Sequence, residues 1–288
     1  MIYNIIKTAL LLTILNGLLF IIGSMIGGTS GIQMALIFSL LMNGISFFFS
    51  DKIVLSMYNA QPLDTYQYNW IYSMVQELAY SMNIPMPKLW IVNTAVANAF
   101  ATGRSPKHAS VAITTGLLHL LDEDELRGVL AHELAHIKNR DTLITTIAAT
   151  IASAIGYLAY MLRHLAFWGS VDNRKRENPI GMFIISLLMP LAATLVQLAI
   201  SRSREYAADH TGALCGKNPL ALASALEKLH NNVRYAHMDQ DNMQQTSTAS
   251  LFIVHPFIDH SWTYLFATHP PMHKRIARLQ QLSLKMFS

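Results

Sequence analysis

Three stretches of this chain contain no Asp, Glu, Lys or Arg: residues 8–50, 142–162 and 178–201, which are 43, 21 and 24 residues long. A helix crosses a hydrocarbon core of about 30 Å with about 20 apolar residues, so each run is long enough to do so. The first is twice that length, and Gly27-Gly28-Thr29-Ser30-Gly31 interrupts it near its middle. It is predicted to form two helices, near residues 8–26 and 32–49, joined by a tight turn. A cleaved signal peptide stops after a shorter apolar region and shows a small-residue cleavage site, so this segment reads as a permanent anchor. The second and third runs form another hairpin candidate, with Pro190 kinking the latter, as bilayer helices tolerate. The alternative for that hairpin is burial within the soluble part.

The rest of the composition agrees. Charged residues are 13% of the chain, against roughly 25% in ordinary soluble domains, and 52% are hydrophobic with mean hydropathy +0.31. Disorder is excluded, since it needs low hydrophobicity and high net charge. Net charge is only +4, and no basic run exceeds Arg174-Lys175-Arg176, so no nucleic-acid partner is expected. Cys215 is the single cysteine, which excludes an internal disulfide and a Cys-based zinc site.

Two hairpins divide the chain into an N-terminal transmembrane hairpin (1–50), a first water-exposed part (51–141), a second hairpin (142–201) and a second water-exposed part (202–288). Lys7, Lys52, Lys138, Arg140, Arg202 and Arg204 then share one side, and Arg163, Arg174, Lys175 and Arg176 the other. The positive-inside rule favours a cytoplasmic main domain. Within the soluble parts, residues 70–81 show helical apolar spacing, while 88–93 and 110–114 are Val- and Ile-rich and predict strands. Asp122 and Glu125 form a capping box for a following helix. Further helices are predicted from Arg202 through Ala208 and over 219–233, with a polar loop at 234–250.

The helix opened by Asp122 carries His132-Glu133-Leu134-Ala135-His136. Residues four apart lie about 40° apart around a helix, so both imidazoles project from one face towards a single Zn²⁺. Glu133 lies near the same edge, where a general base would accept a proton from water. A catalytic zinc site needs a third protein ligand and one open position. Glu205 and Asp209, again four apart, supply a ligand carboxylate and a second one to hold the ring N–H of a ligand histidine. His136 precedes the second apolar run by six residues and Glu205 follows the third by four, about 9 Å and 6 Å of helix. Both ligand segments thus extend the second hairpin, at one side and nearly one depth.

His-Glu-x-x-His followed by Asp141, then Glu205 to Asp209, within this hydrophobic frame, resembles the HtpX family of membrane zinc endopeptidases, relatives of the type 1 CAAX prenyl proteases. The likeness extends to Asn98-Ala99-Phe100-Ala101-Thr102-Gly103 and to Thr268-His269-Pro270-Pro271 with Arg275-Ile276. It implies a mainly α fold with a small β-sheet, an α+β zincin-like catalytic domain, plus four transmembrane helices in two hairpins. It implies one Zn²⁺ per chain held by His132, His136 and Glu205, with Asp141 and Asp209 behind the ligands and Glu133, His269 and Arg275 catalytic. Asn98, Ala99 and Phe100 would line the cleft, where an edge strand pairs with extended substrate. Read from residues alone, Thr268–Pro271 is equally a turn that starts a helix. The implied function is peptide-bond cleavage in membrane proteins, in a stress-response quality control of misfolded or damaged ones, at a bacterial inner membrane. The partners are membrane-protein or peptide substrates and the lipid bilayer. Alternatives are a CAAX-type processing protease or a non-proteolytic membrane scaffold with a vestigial metal site.

Overall fold

A computed structural model describes residues 2–147, 202–235 and 270–286. The second apolar hairpin, His269 and the loop expected at 234–250 fall wholly or almost wholly outside these residues. The chain is mostly helical with one small mixed sheet. Its elements are α1 (Ile2–Met57), β1 (Gln61–Pro62), α2 (Asn69–Ser81), β2 (Lys88–Val92), β3 (Ala99–Thr102), β4 (Ser110–Thr114), α3 (Thr115–Leu120), α4 (Glu123–Asn139), α5 (Arg202–Gly216), α6 (Pro219–Tyr235) and α7 (Met272–Met286).

The first apolar run lies within α1, a single element where two helices and a turn are predicted. Its right-handed geometry is broken at Gly28, whose φ of 56° is a left-handed value that glycine adopts without a Cβ penalty. The break falls inside the glycine-rich stretch expected to turn. Among the described residues no helix is long and apolar enough to cross a membrane. Most side chains in the first half of α1 and all of 148–201 lie outside that description.

The sheet has the order β1-β2-β4-β3. β2 and β4 are parallel, with Leu89 opposite Val111, whereas β3 runs antiparallel to β4 with Phe100 opposite Ala112. Alternation along the strands sorts the side chains between two faces. Leu89, Ala99, Ala101, Val111 and Ile113 enter the main core with Leu78 of α2, Leu130 and Leu134 of α4 and Leu226 of α6. Phe100, Ala112 and Val92 point the other way, onto Val54 and Leu55 at the end of α1. The sheet is therefore covered on both faces, and α1 is tied directly to it.

Helix α4 is the axis of the main core. Asp122 accepts from the Glu125 backbone N–H at 2.9 Å, and the Glu125 carboxylate accepts from the Asp122 N–H at 3.0 Å. This satisfies two otherwise orphaned donors at the helix start. Glu125 also accepts from Ser224 Oγ at 2.7 Å and from Lys228 Nζ at 2.6 Å, which ties the start of α4 to α6. Leu130, Leu134 and Ile137 are fully buried, each stabilising the packing by about 1.5–3 kcal/mol. The helix stops at Arg140, whose φ of 61° is left-handed, so Asp141 turns back and donates its N–H to the His136 carbonyl at 2.9 Å.

The strands expected at 88–93 and 110–114 are present as β2 and β4, and the helices over 70–81 and 219–233 as α2 and α6. Helix α5 extends to Gly216, two turns beyond Ala208. Its polar stretch offers little apolar periodicity, and close packing against α4 sustains it instead.

Candidate metal centre

Helices α4 and α5 approach closely because Gly212 has no side chain. A Cβ there would lie 2.8 Å from the His132 backbone nitrogen and 2.9 Å from its Cα. This contact sets Glu205, two turns earlier on α5, beside the histidines of α4.

His132, His136 and Glu205 offer ligand atoms that all lie within 4.8 Å of one another. The two Nε2 atoms are 3.2 Å apart, and Glu205 oxygens lie 3.8 Å from His132 Nε2 and 3.6 Å from His136 Nε2. Each histidine turns its other nitrogen to a carboxylate: His132 Nδ1 to Asp209 at 3.0 Å, His136 Nδ1 to Asp141 at 3.2 Å. A carboxylate beside each Nδ1 favours a proton there, which leaves Nε2 as the nitrogen that a metal would take. A proton or a metal cation between the two Nε2 atoms accounts for so short an approach. Bonds of 2.0–2.1 Å in a tetrahedron place two nitrogens about 3.3 Å apart, so the donor set fits Zn²⁺.

The carboxylates behind the ligands are themselves held. Asp209 is buried and receives Arg275 Nε at 2.8 Å and Arg275 Nη2 at 2.7 Å, a two-pronged pair. Burial alone would raise the Asp209 pKa, but the Arg275 charge and its hydrogen bonds, with His132, hold it at about 2. Asp141 lies 3.8 Å from Arg204 Nε on α5. For His136, burial opposes protonation, yet the Asp141 hydrogen bond and the charges of Glu205, Glu133 and Asp141 raise its pKa to about 9. The pocket of carboxylates thus favours positive charge at this position.

Glu133 is buried beside the ligands, and the Ala101 backbone N–H of β3 donates to its Oε2 at 2.8 Å. Burial pushes this carboxyl above the ordinary carboxylate range, against the opposing pull of His132 and His136. Strand β3 is a sheet edge, so a residue whose N–H turns away from β4 is available for such a bond. This bond comes from the backbone, and no side-chain pattern encodes it.

The ligand trio, Glu133, Asp141, Asp209 and Arg275 converge in one place. Arg275 is fully buried, with Nη1 3.4 Å from Glu205 and Nη2 3.5 Å from His132 Nε2. Asn98, Ala99 and Phe100 are buried on and beside β3, but the Phe100 ring packs on Tyr58 at 5.0 Å, on the α1 side of the sheet. The Ala101 N–H bond to Glu133, the Arg204–Asp141 approach and the Glu125–Lys228 bond have no local spacing signal in the sequence.

A buried His₂Glu donor set, with a glutamate between the histidines of one helix and a sheet edge beside it, defines a metal-dependent peptide hydrolase. Residues 66–283 match the model of peptidase family M48, and the chain belongs to that family, whose metal is zinc. A protein described as a protease HtpX homolog from Sulfurihydrogenibium sp. (strain YO3AOP1) is 47% identical over 289 residues, covering 98% of this chain and 97% of that one. Homologs of the same description from Pyrococcus furiosus and Aquifex aeolicus are 49% and 50% identical, over 98% and 94% of this chain and 96% and 90% of theirs. Among solved structures, S. mikatae Ste24p shares the fold with a TM-score of 0.54 at 18% identity. That alignment covers 96% of this chain, which spans 66% of the Ste24p chain.

Proposed function

We propose that this zinc peptidase is a multi-pass membrane endopeptidase that cuts membrane proteins near the bilayer surface, with Glu133 as its general base. The observation that carries the reading is Glu133, buried beside the metal ligands and oriented by the Ala101 N–H. When bound, zinc supplies Lewis acidity and lowers the pKa of a coordinated water to about 7. His132, His136 and Glu205 hold it. Asp209 and Asp141 fix the two imidazoles with Nε2 unprotonated. Glu133 takes the proton of the attacking water and passes it to the leaving amine. Arg275 acts through Asp209 and Glu205 as a positioning residue, and His269 stabilises the oxyanion. The outer backbone edge of β3 is where an extended substrate adds as a strand.

The membrane placement is supported by the charge-free runs and by α1. Met34, Ile37, Leu40, Leu41, Phe48 and Phe49 are all exposed on it, which is how a lipid-facing helix looks. The full reading has four spans in two hairpins, a cytoplasmic catalytic domain and a bacterial inner-membrane location. Quality control of misfolded or damaged membrane proteins is the role that fits a site at that depth. Glu133→Gln in purified full-length protein is expected to retain zinc and to cut a model membrane protein at least about 100-fold more slowly. Wild-type turnover in that variant, or cleavage that survives chelation, refutes the reading.

A further inference from the structure

Beside the metal centre, α5 and α7 flank an open cleft of about 260 Å³, lined by Tyr206, Asp209 and Leu282 and by the exposed His210, Arg278, Gln281 and Lys285, over the buried Leu279. The Arg278 guanidinium lies on the Tyr206 ring, 3.6 Å from its centroid. Such a stack fixes the guanidinium plane and leaves its N–H edges free to bind an anion. Among the described residues, Arg278, Lys285 and His210 have no carboxylate within ion-pair distance. The one acid in the lining, Asp209, already receives both prongs of Arg275 and faces His132 Nδ1. The cleft is therefore cationic at its rim and apolar at part of its floor.

Its position narrows the ligand. Tyr206 lies five residues beyond the charge-free run 178–201, about 7.5 Å of helix. If that run spans the bilayer, the cleft opens among lipid headgroups. We propose that this cleft binds a phosphate-bearing anion, supplied by an anionic phospholipid headgroup, with Arg278 and Lys285 on the phosphate and Leu279 and Leu282 beneath the glycerol. An occupant there rests on the helix that carries Glu205 and Asp209. The phospholipid source rests on the membrane reading proposed above; the anion site itself does not.

The test uses the full chain in phosphatidylcholine nanodiscs with and without phosphatidylglycerol. Lipid retained per chain after transfer to detergent is measured by mass spectrometry. The wild type is expected to retain phosphatidylglycerol over phosphatidylcholine. Arg278→Gln with Lys285→Gln is expected to lose at least about tenfold of that retention, at unchanged zinc content and helicity. Arg278→Lys, which keeps a point charge, recovers part of it. Equal retention by wild type and double variant overturns the proposal. A chain that enters nanodiscs but shows no lipid preference refutes the lipid-fed pocket alone; one that enters neither composition refutes the membrane reading. In pure phosphatidylcholine, binding of inorganic phosphate with the same Arg278 dependence upholds the anion site and assigns its source to solution.

Discussion

His132 has both ring nitrogens committed, Nε2 towards the metal and Nδ1 to Asp209, and Asp209 depends in turn on Arg275. The orientation of His132 is therefore only as good as the guanidinium behind Asp209. Lysine at 275 retains the charge but cannot make the two-pronged bond. Arg275→Lys is expected to weaken zinc binding about 10–100-fold in a competition assay with a chelator, while the fold persists. Arg275→Ala leaves the buried Asp209 carboxylate without its guanidinium and is expected to cost about 3–5 kcal/mol in denaturant unfolding. Weak binding in the lysine variant without loss of stability is the signature of positioning, which a purely structural role does not produce. The pairs His132–His136 and Glu205–Asp209 are legible in the sequence because four-residue spacing is itself a statement about helix geometry. Arg275 is not, because it lies 66 residues from Asp209 and only the family likeness marks it.

Among the elements, α4 and α5 must sit nearly backbone to backbone for the ligands to meet. Gly212→Ala places a methyl 2.8 Å from His132 N and is expected to destabilise the protein by about 1–3 kcal/mol and to lower zinc affinity. Gly216→Ala, whose nearest neighbour is the Ala131 Cβ at 3.5 Å, serves as the control and should be tolerated. The α4–α6 junction adds a pH dependence. Burial would raise the Glu125 pKa, but Lys228, Ser224 and the Asp122 N–H outweigh it and hold the carboxyl below its usual value. A depressed folded pKa means that the stabilisation is present above the unfolded value and disappears as pH falls through the folded one. The stability gap between wild type and Glu125→Gln should be fully open above about pH 5 and close in more acid solution, followed by denaturant midpoints. A gap that does not change with pH would mean that the Glu125 charge adds nothing. The capping box was readable from Asp122 and Glu125 alone, whereas Ser224 and Lys228 come from about 100 residues downstream and left no local trace. β1, two residues long, and β3, four residues that read Ala-Phe-Ala-Thr, are too short for alternation to announce them. Only pairing with β2 and β4 makes them strands.

At the scale of the molecule, α1 ties an exposed apolar helix to the back of the catalytic sheet through Val54 and Leu55. The metal ligands belong to segments that flank the other two charge-free runs. If those runs span the bilayer as proposed, the centre is fixed relative to it and substrates reach it at that depth. The claim with most at stake is that residues 142–201 cross and return, because it places Arg174, Lys175 and Arg176 on the face opposite the metal site. Cys215 is the sole cysteine, so a Cys215→Ser background gives a clean label-free chain. In that background, Lys175→Cys in intact spheroplasts is expected to react with a membrane-impermeant maleimide added outside. Lys107→Cys, on the catalytic side, is expected to react only after lysis. If Lys175→Cys also stays protected until lysis, the second hairpin does not cross, and the zinc site stands on a re-entrant or buried pair of helices. The positive-inside argument would then rest on the first hairpin alone, since the basic residues it set against one another would share one compartment.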